Sequence, residues 1–393
     1  MLLHAFVYFF VFGTTSRTFT HLHERANEIR EKSRWQLRTE KRRQRTEDLL
    51  NAIEIGTSMS LFPMQPLQAL NDLKIPILGV PQTSSIDWDE IDWIFDPIRG
   101  GKLPQGSQRG LRKRAQVEAI HYIVSELINA QLQSRTNLTN YDVTIIDAGC
   151  GAGNLAVSLA GLSYNDNVNV KVLAVDVNEH ALSRLSNRIK DVLSPEQLET
   201  CHADLANYDY ILTKIPPSHF IIIVSLHACG AASDMAMNLA IRNNSPFVIC
   251  PCCTAKSLTK RLPDTDKKTM LDLNAASFQR SGASADIEYP RSKWLRRKMS
   301  GQNKLDEKYS LLAKVADAGL GTQTPSQIRQ QQARAKKIVE LDRLSAASEE
   351  HDYDVRLMRI RDHDPLVYSK GDLLIGGKDI AEMLVLLPEE EEK

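Results

Sequence analysis

From residue 143 onward, short apolar runs alternate with longer stretches whose apolar positions recur every three or four residues. The runs are VTIID (143–147), KVLAVD (171–176), a short one ahead of ADL (203–205), HFIIIVSLH (219–227) and PFVIC (246–250). They are rich in β-branched residues and lack the strict alternation of a half-exposed strand, so they predict strands buried on both faces. Between them, NLAVSLAGL, NEHALSRLSNRIKDVL and SDMAMNLAIRN carry helical spacing. Such alternation predicts an α/β fold, a parallel sheet with helices on both faces. A helix over about 108–132 precedes this block and one over about 325–348 follows it. YDVRLMRI and DLLIGGK then read as two closing strands, for seven in all. The pattern lapses after Cys253 for about seventy residues, which read as a basic, loop-like insert. Residues 51–105 are broken by Pro63, Pro66, Pro76, Pro81, Pro97 and Pro104. The closing PEEEEEK has the composition of a disordered tail.

Composition narrows the class. The chain has 393 residues, 42% hydrophobic and 25% charged, with zero net charge, as an ordinary globular protein has. Global charge therefore points to no partner. Local charge is uneven: residues 17–47 hold ten Lys and Arg against five acids. A solvated helical arm is the favoured reading of that stretch, and an electrostatic arm for nucleic acid the other. Six cysteines, four of them crowded, do not form a spaced disulfide framework and point to a reduced compartment, the cytoplasm. No apolar run reaches the length of about 18–20 residues that spans a membrane. MLLHAFVYFFVFG has the size of a signal-peptide core without its basic flank, so organelle targeting is the alternative. The resulting division is an apolar leader at 1–16, a basic arm and loop-rich extension at 17–94, a main domain at 95–380 with an insert at about 256–324, and an acidic tail at 381–393.

The chemistry concentrates at strand ends. IIDAGCGAGN puts Gly149, Gly151 and Gly153 at a strand-to-helix turn, followed by Asn154, with Asp147 ahead of them. Glycines at such a turn let backbone N–H groups and a helix N-terminus approach a ligand. Asp176 ends the next strand 29 residues on, and Asp204 follows the third. LHACGAASD follows the fourth strand and CPCC the fifth, on the side where open parallel sheets bind ligands. Cys250, Cys252, Cys253 and Cys229 could be zinc ligands, a redox pair, a covalent nucleophile or the lining of a pocket. Adjacent cysteines chelate one metal poorly, and in the C-x-x-C spacing of Cys250 and Cys253 the first should point into its strand, so no metal is expected. Small soft side chains lining a pocket is the favoured reading, with a catalytic thiol at Cys252 or Cys253 left open.

Acid-x-Gly-x-Gly-x-Gly resembles the first motif of class I S-adenosylmethionine-dependent methyltransferases. That resemblance implies a Rossmann-like fold and S-adenosyl-L-methionine as cofactor. Asp147 would lie near its cationic methionine end, Asp176 would take the ribose hydroxyls, and Asp204 would take the adenine. SLHACGAASDMAM and FVICPCC further resemble one methyltransferase group, on His227, Cys229, Gly230, Asp234, Pro251, Cys252 and Cys253. It contains the acceptor-stem tRNA 2′-O-methyltransferases and the glutathione S-transferase C-terminal-domain-containing proteins. RGLRKRAQVE, YPRSKWL, KYSLLAKVAD and YSKGDLLIG resemble segments of the latter. The resemblance implies methyl transfer, with RNA as the expected substrate; a protein methyltransferase, or a catalytically silent cofactor-binding module, is the alternative. His227 and Asp234 are candidates for orienting the substrate or accepting its proton. Arg112, Lys113 and Arg114, with Arg291 and Lys293, are candidates for phosphate, and Trp294 for base stacking.

Overall fold

The computed structural model describes residues 36–60, 67–134, 141–228, 230–253, 287–300, 305–317, 325–361, 363 and 370–390. The chain divides into two compact units, residues 1–51 and 52–393. The described part of the first is helical; α1 runs over 36–54, with residues 36–42 exposed and Arg43 paired to Glu40 at 2.6 Å. Among the described residues no helix is long and apolar enough to cross a membrane, and the apolar start lies outside them.

The second unit begins with the two-residue strands β1 (Ser58–Met59), β2 (Gln68–Ala69) and β3 (Ile77–Leu78). Helix α2 (Gln108–Gln133) follows, its start fixed by Ser107, whose hydroxyl accepts the Gly110 N–H at 3.1 Å. Then come β4 (Tyr141–Ala148), α3 (Asn154–Gly161), β5 (Val168–Asp176), α4 (Glu179–Ile189), β6 (Leu198–His202), α5 (Tyr208–Leu212), β7 (Phe220–Leu226), α6 (Ala231–Arg242) and β8 (Phe247–Cys250). The chain closes with α7 (Lys293–Met299), α8 (Leu305–Ala316), α9 (Ser326–His351), β9 (Asp354–Ile360), β10 (Asp372–Gly377), α10 (Ala381–Leu386) and β11 (Glu389–Glu390).

The sheet order is β11-β3-β9-β10-β8-β7-β4-β5-β6. Strands β6, β5, β4, β7 and β8 are mutually parallel, while β10 runs antiparallel to both its neighbours. Helices cover both faces, which is why β7 reads FIIIVSL with six of its seven residues buried rather than alternating. Helix α4 shows the complementary pattern, burying Ala181, Leu182, Leu185 and Ile189 on one stripe. From β4 the chain winds outward through β5 and β6, then returns to lay β7 on the other side of β4. This reversal opens a crevice at the carboxyl ends of β4 and β7.

Two expectations change. The stretch read as loop after Cys253 contains α7 and α8, which bury Leu295 and Met299, and Tyr309, Leu312, Ala313 and Ala316 at helical spacing. The described part of the acidic end forms α10 and adds β11 against β3, in a sheet of nine strands among the described residues. Its charge is met there: Arg356 donates to Glu389 and Arg361 Nε to Glu390, each at 2.6 Å.

Candidate active site

The loop between β4 and α3 turns on three glycines in the left-handed region, with φ of +78° at Gly149, +56° at Gly151 and +77° at Gly153. The Gly149 and Cys150 N–H groups donate to Val175 O at 2.9 and 3.0 Å, fastening the loop to β5. The three positions differ in what surrounds them. A Cβ on Gly153 would meet Leu185 Cδ1 at 2.3 Å, so its absence lets α3 pack on α4. A Cβ on Gly149 would stand 3.2 Å from Ala228 Cβ. At Gly151 it would meet nothing within 4 Å, so this backbone faces open space.

Asp176, at the end of β5, accepts the Gly151 N–H at 2.7 Å and the Asn178 N–H at 2.8 Å. Asp204, past β6, is half-buried and accepts the Ala206 N–H at 3.0 Å. Asp147 is only 1% exposed and accepts the Ala156 N–H at 3.0 Å. Burial pushes its carboxyl up to about 7, against the pull of that N–H and of the Lys113 ammonium. Lys113, reaching in from α2, is pushed down by burial and held up by its acidic neighbours Cys250, Asp147 and Cys252. Asn154 faces away from this space: its Oδ1 accepts from Arg188 at 3.2 Å, beside Gly101.

The turns after β7 and β8 meet across the crevice. His227 has φ +65°, a region that non-glycine residues rarely adopt and that costs on the order of 1–3 kcal/mol. Its N–H donates to Cys250 O at 3.0 Å, and its carbonyl accepts from Cys252 Sγ at 3.7 Å. Gly230 N–H donates to Cys253 O at 3.0 Å, and the thiols of Cys252 and Cys253 lie 3.6 Å apart. Cys250 points into the core, where burial pushes its thiol up to about 12, out of reach as a nucleophile. Cys252 and Cys253 are half-buried; Cys229 lies outside the described residues. Among the described residues, no three His, Cys, Asp or Glu side chains converge as a metal-holding group.

Three of the expected site residues are engaged elsewhere. Asp234 is fully buried between Arg343, at 3.0 Å, and Arg291, at 2.9 Å, and takes the Tyr289 hydroxyl at 2.9 Å. Burial would raise its carboxyl, but the two guanidiniums outweigh that and hold it below the usual carboxylate range. It is a structural anchor for the first turn of α6 and cannot meet a substrate. Arg291, expected to bind phosphate, is consumed by the same pair. Arg114 is consumed by Asp96, with Nη2 to Oδ2 at 2.7 Å, and its guanidinium lies 5.6 Å from the Trp88 ring centroid. Arg112 is half-buried, and so is Trp294, whose indole nitrogen is shielded from solvent; Lys293 is exposed.

Sequence reasoning passed over four residues that organise the region. Asp96, in the FDPIRGG segment, holds Arg99 and Arg114. Arg343 neutralises Asp234 from α9. Gln116 joins the Lys370 carbonyl to the His227 ring. Gln116 alone carried a signal, as the last polar residue of RKRAQ on an otherwise apolar helix face.

The Gly151 position is the observation that fits a nucleoside cofactor: a left-handed backbone, room where a side chain would stand, and the Asp176 carboxylate at its edge. Asp147 and Asp176 at the carboxyl ends of β4 and β5, with Asp204 past β6, line three carboxylates along this edge of the sheet. Residues 112–260 match the family described as a methyltransferase domain. A glutathione S-transferase C-terminal domain-containing protein of Bos taurus is 25% identical over 317 residues, covering 80% of this chain and 41% of the relative. The Xenopus laevis protein of that name is 28% identical over 169 residues, 43% of this chain and 23% of the relative. A homolog from Drosophila pseudoobscura pseudoobscura is 32% identical over 169 residues, 43% of this chain and 24% of the relative. The chain thus spans about two fifths, or less, of the length of these curated relatives. Fold, glycine loop and likeness together give residues 112–260 a Rossmann-like methyltransferase domain with S-adenosyl-L-methionine as its implied cofactor, in a chain similar to the glutathione S-transferase C-terminal domain-containing proteins.

Proposed function

We propose that the protein transfers a methyl group from S-adenosyl-L-methionine to RNA by in-line displacement, without a covalent enzyme intermediate. The observation that carries the cofactor half is the open Gly151 backbone beside Asp176. When bound, the cofactor supplies an electrophilic methyl on a sulfonium. Asp176 would take the ribose hydroxyls and Asp204 the adenine amine. Asp147 would face the ammonium of the methionine end. Lys113, expected to bind phosphate, is better matched to the methionine carboxylate, being a half-buried cation within electrostatic reach of Asp147.

His227 suits orientation of the nucleophile better than storage of its proton. Burial and the nearby Lys113 and Lys370 charges push its imidazole down to about 3. Such a ring accepts a hydrogen bond but holds a proton poorly. Cys252 and Cys253 would line the pocket, and replacing both by serine should leave methyl transfer within about threefold of the parent, well short of the 10²–10⁴-fold typical of a lost catalytic group. Loss of all turnover would establish the covalent route instead.

The RNA half rests on the exposed cations Lys293 and Arg297 of α7. Arg291, just ahead of α7, reaches α6 beside the crevice through Asp234. Incubating the full chain with methyl-labelled cofactor and fractionated RNA or protein tests this. Label in RNA is expected, and label confined to protein would overturn it.

A further inference from the structure

Gln116, on α2, is 1% exposed and spans two partners. Its Nε2 donates to Lys370 O at 3.2 Å, and its Oε1 lies 3.0 Å from His227 Nε2. A backbone carbonyl only accepts, so the amide nitrogen has to face Lys370; the flipped amide would set oxygen against oxygen. The amide oxygen is thereby aimed at the imidazole, and it too only accepts. His227 Nε2 must then be the donor.

We propose that Gln116 is a positioning residue that holds His227 in the Nε2–H tautomer, leaving Nδ1 as the only basic atom of the ring. The anchor of this relay is itself fixed, because Lys370 O also accepts from the buried Cys250 Sγ, at 3.6 Å. The His227 backbone is fixed as well, its main-chain N–H donating to Cys250 O. The groups around the ring oppose a second proton: Lys113 from α2, Lys370 ahead of β10 and His363 past β9 all disfavour it, with Cys253 past β8 the opposing neighbour. Resting on the methyl-transfer reading, the consequence is that His227 stands beside the CPCC turn in one fixed tautomer, its Nδ1 shielded from solvent in the unliganded chain.

Long-range proton–nitrogen correlation spectra of the full chain test this without cofactor or substrate. The His227 ring is identified by its loss in His227→Phe, since the chain has ten histidines. The parent protein should show the Nε2–H pattern throughout about pH 5 to 8. Gln116→Leu, which removes the acceptor, should redistribute the tautomers. Gln116→Glu, which restores an acceptor and adds charge, should keep Nε2–H and raise the pH at which the ring titrates. An Nδ1–H pattern in the parent, or an unchanged pattern in Gln116→Leu, would overturn the proposal. If Gln116→Leu shows no cooperative unfolding transition, the parent and Gln116→Glu spectra decide it. Because the tautomer is read on the unliganded chain, its failure leaves cofactor binding intact, and absent cofactor binding leaves the tautomer intact.

Discussion

Asp147 is the residue whose surroundings shape the cofactor site most. Its folded pKa, about 7, lies above the ordinary 3.8, so the native state binds the extra proton and ionisation works against folding. Stability therefore falls as pH rises from about 4 to about 7, by roughly 4 kcal/mol at most. Asp147→Asn should remove that slope, as denaturant titrations at several pH values would report. Cofactor binding acts in the other direction, because an ammonium beside the carboxylate favours its charged form. Affinity for S-adenosylhomocysteine should rise with pH through about 7, with a proton released, and Asp147→Asn should abolish both effects; calorimetry in buffers of different ionisation enthalpy reads them. Asp234 has the opposite character. Asp234→Asn leaves Arg291 buried without its counter-charge and Arg343 with Glu340 alone, and should cost about 3–5 kcal/mol in denaturant unfolding. Both aspartates stand beside apolar positions after strands in the sequence. Nothing local separates the one facing the crevice from the one facing two arginines. Arg343 lies 109 residues from Asp234 and Arg291 lies 57 away, so the pairing exists only in the fold.

At the scale of elements the glycine loop divides into a structural half and a ligand half. Gly153→Ala drives a methyl into Leu185 and should destabilise the protein by about 1–3 kcal/mol, since α3 and α4 cannot separate without loosening the core. Gly151→Ala meets no neighbour and should cost only the left-handed backbone, about 1–2 kcal/mol, while abolishing S-adenosylhomocysteine binding. Melting curves with and without that ligand separate the two: Gly153→Ala should lower the unliganded midpoint more, and Gly151→Ala should lose the ligand-induced rise. The parallel strands around this loop were legible because a strand buried on both faces has to be a continuous apolar run, as FIIIVSL of β7 is. Helices α7 and α8 were harder. RSKWLRRK reads as a basic surface, yet Ser292 caps the turn by accepting the Leu295 N–H at 3.3 Å, and only Leu295 and Met299 face inward. Strand β11 was illegible, because acids make poor strand formers and its order depends on Arg356 and Arg361 from another part of the sheet.

Across the whole second unit, a chain of buried charges runs along α9. Arg359 pairs with Asp372 at 2.9 Å, Lys336 with Glu340 at 2.5 Å, Glu340 with Arg343 at 2.9 Å, and Arg343 with Asp234 at 3.0 Å. It links the closing strands β9 and β10 to the first turn of α6, and so fixes the far wall of the crevice to the near one. Every member but Arg359 is nearly sealed from water, so the array holds one geometry and tolerates loss of a sealed member badly. That rigidity keeps the glycine loop, His227 and the CPCC turn in register around one space. Titration calorimetry of S-adenosylhomocysteine into the full chain and into Asp176→Ala measures the central claim most directly. The account predicts one site per chain in the parent and loss of measurable binding in the variant. No binding in the parent, or equal binding in both, would contradict it.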